Sequence, residues 1–185
     1  MPRIADQQLE TRILKAARSL WQAHGAKSVT LRSVARAAGT TTTTVYKRFR
    51  NKQALLLALA ELVQQKITVR TISAATIEDS YRRFLQFADQ HPHEYQLLWG
   101  PSWAELLGPE RPRPIKDWLL DKFAARFGGQ PKDYVLNYYA LFLLVHGTAN
   151  LLIVTRDRNA KAEIVESCLG ICDALVANIR VLRRK

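Results

Sequence analysis

Residues 31–49 read LRSVARAAGTTTTTVYKRF, and this stretch decides the fold of the N-terminal part of the chain. The segment from Leu31 to Ala38 has the composition of a short helix, and Gly39 then supplies a residue that readily adopts the left-handed backbone angles of a sharp turn. The segment from Thr41 to Phe49 follows as another short helix. The pattern therefore predicts two short helices joined by a tight turn, the layout of a helix-turn-helix.

The residues around this turn support close packing of three helices. An earlier helix is indicated by apolar residues at helical spacing before Gly25, namely Leu9, Ile13, Ala16, Ala17, Leu20 and Trp21. The second helix carries the compact residues Val34, Ala35 and Ala38, which let it approach the third. The third presents Val45, Tyr46 and Phe49 as its apolar side. Its opposite side and its N-terminal end are left free.

The positive charge of the chain is concentrated at the same end. The whole chain of 185 residues has a net charge of +12. Residues 1–52 hold 11 Lys and Arg against 2 Asp and Glu, a net charge of +9, and the remainder is +3. Such a basic N-terminal quarter favours a polyanionic partner there, although charge alone does not separate nucleic acid from an anionic lipid surface.

The rest of the sequence predicts further helices and no strands. We expect six of them, at Lys52 to about Val69, Ile77 to Ala88 after a capping box at Thr76 and Asp79, Pro92 to near Gly100, Ile115 to Phe127 before Gly128 and Gly129, Pro131 to Arg156, and a last helix that Asn159 would cap and that reaches Leu182. The fold class is therefore all-α with about nine helices. We place a helix-turn-helix domain at residues 1–52 and a second helical domain at residues 53–185.

One of these helices is unusually apolar. The segment from Tyr134 to Thr155 contains no formally charged side chain and is about long enough to span a bilayer. Polar residues interrupt it, among them Asn137, His146 and Asn150, and these would be costly in hydrocarbon. We therefore interpret it as a helix covered by the protein's own core and by a second copy of the chain, with a membrane span as the alternative.

The two cysteines and the absence of catalytic patterns narrow the function classes. Cys168 and Cys172 are too few for a disulfide scaffold, and the N-terminus has no secretory signal pattern, so both features favour the cytoplasm. The two cysteines are interpreted as core thiols, with redox sensing or half of a metal site as alternatives. Without a glycine-rich phosphate loop, a nucleophile–base motif or an acid pair, we expect no enzyme, no cofactor and no metal.

The N-terminal pattern resembles the TetR/AcrR family of transcriptional regulators. The matching run is residues 11–56, TRILKAARSLWQAHGAKSVTLRSVARAAGTTTTTVYKRFRNKQALL. The positions in register are Ala16-Ala17, Leu20-Trp21, Gly25, Thr30, Val34-Ala35, Ala38-Gly39, Thr41 to Thr44, Val45-Tyr46, Phe49 and Lys52. The family often has Gly where this chain has Thr43. The pair His146-Gly147 is similar to a subgroup that has Trp four residues earlier, where this chain has Phe142.

The resemblance implies which residues contact double-stranded DNA. Base reading falls to Thr42, Thr43 and Lys47, because a threonine methyl packs on the thymine methyl and lysine donates to guanine acceptors. Thr30 and Thr41 would cap helix starts and donate to phosphates, and Thr44 belongs to the same DNA-binding set. Further phosphate contacts fall to Tyr46, Lys52, Arg32, Arg48 and Arg50. The alternatives are that Arg32, Arg48 and Arg50 form only a solvated basic face and that Tyr46 lies in the core.

The resemblance also implies a homodimer and a small-molecule pocket. The dimer would be a two-fold bundle of the last two helices, with an interface at Leu144, Leu151, Ile164, Cys168, Ile171, Leu175 and Ile179. The pocket for an apolar or aromatic effector would be walled by Trp99, Trp103, Phe142 and His146. The alternatives are ordinary core packing of these aromatic residues and a regulator of the same fold without a small-molecule ligand.

Overall fold

The computed structural model describes residues 4–99 and 113–182, and within these ranges the chain is all-α, with no strand. The predicted fold class and the predicted number of helices are confirmed for this part of the chain. The helices are α1 (Ile4–His24), α2 (Leu31–Ala37), α3 (Thr42–Arg48), α4 (Lys52–Ile72), α5 (Ile77–Gln90), α6 (Pro92–Trp99), α7 (Pro114–Phe127), α8 (Val135–Val154) and α9 (Arg158–Ala177). Short 3-10 turns lie at Ala26–Ser28, Pro131–Tyr134 and Ile179–Leu182.

The chain forms two compact units, and the division does not follow the order of the sequence. The boundary within α4 lies between Gln65 and Lys66. The first unit combines α1, α2, α3 and the larger part of α4 with α6, whereas α5 and α7 to α9 belong to the second unit together with the end of α4. The predicted division at residue 52 separates the helix-turn-helix from the rest of the chain and stays a prediction.

In the first unit, α6 is attached to α1 by polar contacts around a tryptophan. The indole nitrogen of Trp21 donates to the backbone carbonyl of His93 at 2.6 Å. The Nδ1 atom of His93 is in turn hydrogen-bonded to the backbone carbonyl of Gln22 at 2.8 Å. Because a buried indole N–H needs an acceptor, this pairing fixes where α6 contacts α1.

In the second unit, α8 packs against both α5 and α9. Its inner face is buried and includes the polar residue Asn137, whose side-chain amide donates to the backbone carbonyl of Ile179 at 2.8 Å. The inner face of α5 is aromatic and apolar, with Tyr81, Phe84 and Leu85 buried. This unit therefore has its own core, in which α8 is the central helix.

The helix ends show which sequence signals act as caps. Thr76 caps α5 as predicted, since its hydroxyl accepts from the backbone N–H of Asp79 at 3.0 Å. The prediction that Asn159 caps the last helix was wrong. Asp157 caps it instead, because its carboxylate accepts from the backbone N–H of Ala160 at 2.7 Å and the helix begins at Arg158.

The α8 region is the one membrane-span candidate among the described residues. Residues Pro131–Val154 are long enough and apolar enough to cross a bilayer, with a mean hydropathy of 1.4. The core helix of a globular protein passes the same test, and a single such helix is weak evidence. The inner face packs on α5 and α9, and 39% of the apolar window is buried in this way. The outer face is described below.

Candidate nucleic-acid interface

Helix α2 ends in a Schellman motif at Gly39, which forms the turn to α3. The backbone N–H of Gly39 donates to the carbonyl of Arg36 at 3.2 Å, and that of Thr40 donates to the carbonyl of Ala35 at 2.9 Å. Gly39 has a φ of +62°, the left-handed conformation that this motif requires. The predicted role of Gly39 is confirmed, and the turn sets the direction in which α3 leaves α2.

Threonine caps fix the beginnings of α2 and α3. The hydroxyl of Thr30 accepts from the backbone N–H of Ser33 at 3.0 Å, and the Ser33 hydroxyl accepts from the backbone N–H of Thr30 at 2.9 Å, which makes a reciprocal capping box. The hydroxyl of Thr41 accepts from the backbone N–H of Thr44 at 3.1 Å and contacts the Thr44 hydroxyl at 2.8 Å. The predicted capping roles of Thr30 and Thr41 are therefore confirmed.

Helix α3 has one buried side and one exposed side. Val45 is buried, and Phe49 directly after the helix is buried as well. Thr43 and Lys47, one turn apart, are exposed. Tyr46 is 55% exposed, because it lies about 100° around the helix from Val45. Its placement on the apolar side of the helix was therefore wrong, and its assignment as a DNA contact stays a prediction. The exposed side thus presents a hydroxyl, a phenol and an ammonium group together.

The remaining predicted contact residues lie on α3 itself or on the neighbouring helices. Arg32 is exposed on α2, Lys52 is exposed at the start of α4, and Thr42, Thr44 and Arg48 are half-buried. The Nζ atom of Lys52 donates to the backbone carbonyl of Ala26 at 3.2 Å. This bond holds the ammonium group beside the first 3-10 turn.

Sequence reasoning missed two residues at this surface. Asn51 caps α4, because its side-chain oxygen accepts from the backbone N–H of Ala54 at 2.8 Å. Arg36 is exposed on α2, one turn beyond Arg32, and adds a second guanidinium to the same face. An Asn directly before the predicted helix start and an Arg at a spacing of four residues were the available signals.

The comparison with known families decides the identity of this domain. Residues 13–59 match the family described as bacterial regulatory proteins, tetR family. The N-terminal domain is a TetR-family DNA-binding domain. The match begins within α1 and ends within α4, and it includes every predicted DNA-contact residue from Thr30 to Lys52. The match covers about a quarter of the chain, so the role of the whole chain is taken up below as a proposal.

Solved TetR-type structures share the whole fold. The chain is similar to a TetR variant from Acinetobacter baumannii AYE in complex with minocycline, at 20% identity, over 94% of this chain and 97% of that chain, with a TM-score of 0.69. A TetR-family transcriptional regulator from Streptomyces coelicolor is 21% identical over 92% of this chain and 98% of that chain, with a TM-score of 0.59. BioQ with its double-stranded DNA operator is 20% identical over 87% of this chain and 98% of that chain, with a TM-score of 0.57. No curated protein matches the chain.

The predicted pocket residues are only partly brought together. In the second unit, the rings of Phe142 and His146 are 4.1 Å apart between centroids, and Phe84 of α5 lies 4.9 Å from His146. Burial lowers the pKa of His146 to about 4, so the imidazole is neutral at physiological pH. Trp99 belongs to the first unit, where it lies 4.9 Å from Tyr95. Trp103 lies outside the described residues.

The cavity found among the described residues of the second unit lies elsewhere. It has a volume of about 650 Å³ and opens between α5 and α9, with Arg82, Asp89, Arg158 and Lys161 among its charged lining residues. Ion pairs join its two walls, with 2.5 Å from the Lys161 ammonium to Asp89 and 3.6 Å from the Arg82 guanidinium to Asp173. None of Trp99, Phe142 and His146 lines it.

The outer face of α8 is apolar and exposed within the single chain. Leu143 is 67% exposed, and the other large apolar residues exposed along this face are Leu136, Tyr139, Leu151 and Val154. On α9, Ile171 is exposed as well. We call these six residues the outer apolar face.

The predicted interface stripe on α9 is narrower than expected. Cys168 and Ile179 are buried within their own chain, so they offer no surface to a partner. Leu144, Ile164 and Leu175 are half-buried, whereas Leu151 and Ile171 are exposed. The reason is that the buried side of α9 faces α8 and α5, so that only the flank around Ile171 remains free.

Proposed function

We propose that this TetR-type regulator is a cytoplasmic repressor that binds a near-palindromic operator as a homodimer and leaves it when a small molecule binds. The observation that carries the DNA-binding part is the exposed side of α3. Thr43, Tyr46 and Lys47 stand free of the core on a helix whose start is capped and whose preceding turn is closed at Gly39. Because its start and its orientation after the turn are already fixed, α3 would enter a major groove without a change in its backbone.

Each exposed group has a matching partner on a duplex. The ammonium group of Lys47 donates to the guanine O6 and N7 atoms, and the methyl group of Thr43 packs on a thymine methyl. The Tyr46 hydroxyl and the cations of Arg32 and Lys52 bind phosphates on either side of the groove. Base contacts from α3 would specify the sequence, and the phosphate contacts would set the register and the salt dependence.

The outer apolar face supports the homodimer. It runs along the whole of α8, which carries no charged side chain, and continues onto α9 at Ile171. An exposed stripe of this length without charge is complementary to itself under a two-fold axis, so a second copy of the chain is the partner that we propose. The dimer would place two α3 helices about one DNA turn apart, roughly 34–36 Å.

The effector is the least constrained part of the proposal. Its support is the aromatic cluster of Phe84, Phe142 and His146 and the likeness in fold to a regulator solved with minocycline. A neutral imidazole among aromatic rings suits an apolar or aromatic ligand. The second candidate is a regulator without a small-molecule ligand, and it is favoured by the direct ring contacts that fill the space around His146.

The experiment that tests DNA binding compares two lysine variants with the wild type. Fluorescence anisotropy measures affinity for a promoter duplex that contains an inverted repeat, over a range of salt concentrations. Lys52→Gln should weaken binding to all duplexes and lower the salt slope by about one unit, because one phosphate contact is lost. Lys47→Gln should weaken binding to the inverted repeat more than binding to a scrambled duplex, so that the ratio of the two affinities falls. Unchanged affinity in both variants would refute the role of α3.

A further inference from the structure

Helix α9 contains a close pair of thiols that the DNA-binding account does not use. Cys168 and Cys172 lie four residues apart, and their Sγ atoms are 4.0 Å from each other. They are 2% and 0% exposed, and they are the only two cysteines in the chain. Both sulfurs therefore point from one side of α9 into the core of the second unit.

The neighbours of the pair come from all three packed helices. The hydrogen bond with Cys172 and, from α8, hydrogen bonding by Thr148 lower the pKa of the Cys168 thiol, against the effect of burial. On α5, the hydroxyl of Tyr81 donates to Asp173, the residue after Cys172. The hydrogen bond to Cys168 and burial raise the pKa of the Cys172 thiol.

Helix geometry disfavours a disulfide between these residues. Residues four apart on a helix have Cβ atoms about 5–6 Å apart, whereas a disulfide needs a Cβ separation of about 3.5–4.5 Å. Closing the sulfur–sulfur distance from 4.0 Å to a bond of about 2.05 Å would require α9 to distort within the core. Direct oxidation of the pair would therefore act against the packing of α9 on α8 and α5.

A two-coordinate metal ion would bridge the same two sulfurs with a smaller change in their separation. We propose that Cys168 and Cys172 form a two-sulfur site for a soft, thiophilic divalent metal ion of the Hg²⁺ type. Two metal–sulfur bonds of about 2.3 Å in a line span about 4.6 Å, so the sulfurs need to separate by only about 0.6 Å from the observed 4.0 Å, whereas a disulfide requires them to approach by about 2 Å. On binding, two S–H bonds break, two metal–sulfur bonds form, and two protons pass to solvent.

The surroundings select the class of ion. Two thiolates and a divalent ion make a neutral complex, which avoids the cost of a net charge in a buried site. Thiolate ligands prefer soft ions, whereas a structural zinc ion takes four ligands. Among the described residues, no group of three or more His, Cys, Asp and Glu side chains is placed to hold a metal, so the pair cannot complete a zinc site there.

The cavity between α5 and α9 is lined by residues that adjoin the thiol pair in the sequence. Leu169 and Asp173, which follow Cys168 and Cys172 directly in the sequence, both line it. An ion in this cavity is separated from the sulfurs by the side of α9 itself. A small local opening of α9 against α5 therefore gives access without global unfolding.

Titration of the folded protein with Hg²⁺ tests the site. The ultraviolet charge-transfer band of the mercury–thiolate bond reports binding, and a lightly buffered solution reports proton release. We expect one ion per chain, two protons released per ion, and no corresponding complex with Zn²⁺. Cys168→Ser and Cys172→Ser should each weaken binding about 100-fold or more in competition with glutathione, because the second sulfur is no longer held in place.

The controls separate a chelating pair from two independent thiols. Cys168→Ala and Cys172→Ala repeat the test without a buried hydroxyl, and circular dichroism confirms that each variant is folded. Two ions per chain, single variants as tight as the wild type, equal binding of Zn²⁺, or thiols that bind no Hg²⁺ in the folded protein would each overturn the proposal.

Discussion

The Nε atom of Arg18 lies 2.5 Å from the Oε1 atom of Glu94, and the glutamate is completely buried. The second carboxylate oxygen accepts no hydrogen bond from the described residues, and the Nδ1 atom of His91 is 3.7 Å away from it. Arg18 belongs to α1 and Glu94 to α6, so this pair joins two helices that are far apart in sequence. Arg18 is the cation that hydrogen-bonds to Glu94 among the described residues.

The first prediction concerns this pair. Arg18→Met leaves a buried carboxylate without its counter-charge and should lower the free energy of unfolding by about 3 kcal/mol. Glu94→Gln should cost less, because the half-buried Arg18 can turn toward water. The double variant should lose less free energy of unfolding than the two single variants lose together, as measured by urea denaturation. Equal and additive losses would show that the two side chains do not interact.

The second prediction tests the turn before α3. Gly39 has a positive φ, and a Cβ added there would meet no heavy atom within 4 Å, so Gly39→Ala carries only the backbone cost of about 1–2 kcal/mol. Gly170, inside α9, is equally open and has no positive φ. Gly170→Ala should therefore stabilise the protein by about 0.5–1 kcal/mol. Thermal unfolding of both variants checks the opposite signs, and a shared sign would contradict this account of the turn.

The third prediction tests the homodimer. Leu143 is 67% exposed in the centre of the outer apolar face, and Leu143→Glu would place two carboxylates against each other at a two-fold interface. We expect analytical ultracentrifugation to show monomers. Val69 is 58% exposed on α4, outside that face, and is the matched control. A Val69→Glu variant that dissociates, or a Leu143→Glu variant that stays dimeric, would argue against this interface.

The fourth prediction concerns pH. The pKa of His146 is about 4 in the folded chain, against an ordinary value of about 6.5, because burial disfavours the imidazolium. As the pH is lowered, His146 is protonated in the unfolded chain at a higher pH than in the folded chain. The contribution of His146 to the free energy of unfolding is therefore complete above pH 6.5 and is lost as the pH falls toward 4. The loss is about 3 kcal/mol. His146→Leu should flatten this part of the stability profile, whereas an unchanged slope would mean that another group is responsible.

The sequence predicted local structure well and long-range pairing poorly. Gly39, Thr30, Thr41 and Thr76 mark helix ends by chemistry that acts within a few residues, and the structure confirms each of them. The contact between α1 and α6 depends on residues 76 positions apart, and no local signal indicates it. Neighbouring signals also compete, as when Asp157 caps α9 and Asn159 does not.

The same limit applies to the candidate site. The spacing of Thr43 and Lys47 was enough to place both on one side of α3, but it did not show that Tyr46 stands outside the core. Burial of Cys168 and Ile179 within the chain follows from how α9 lies on α8 and α5. A one-sided helical stripe cannot distinguish a face covered by its own chain from a face covered by a partner.

The central claim is that α3 reads DNA as one of two copies held side by side. Selection from a random duplex library, followed by sequencing of the bound fraction, tests it directly, because the library contains every candidate operator half-site. The wild type should enrich an inverted repeat whose half-sites are centred about 10 base pairs, or a multiple of that spacing, apart, and Lys47→Gln should lose preference at matching positions in both halves. No enriched sequence, a solitary half-site, or an identical motif from the variant would contradict the account.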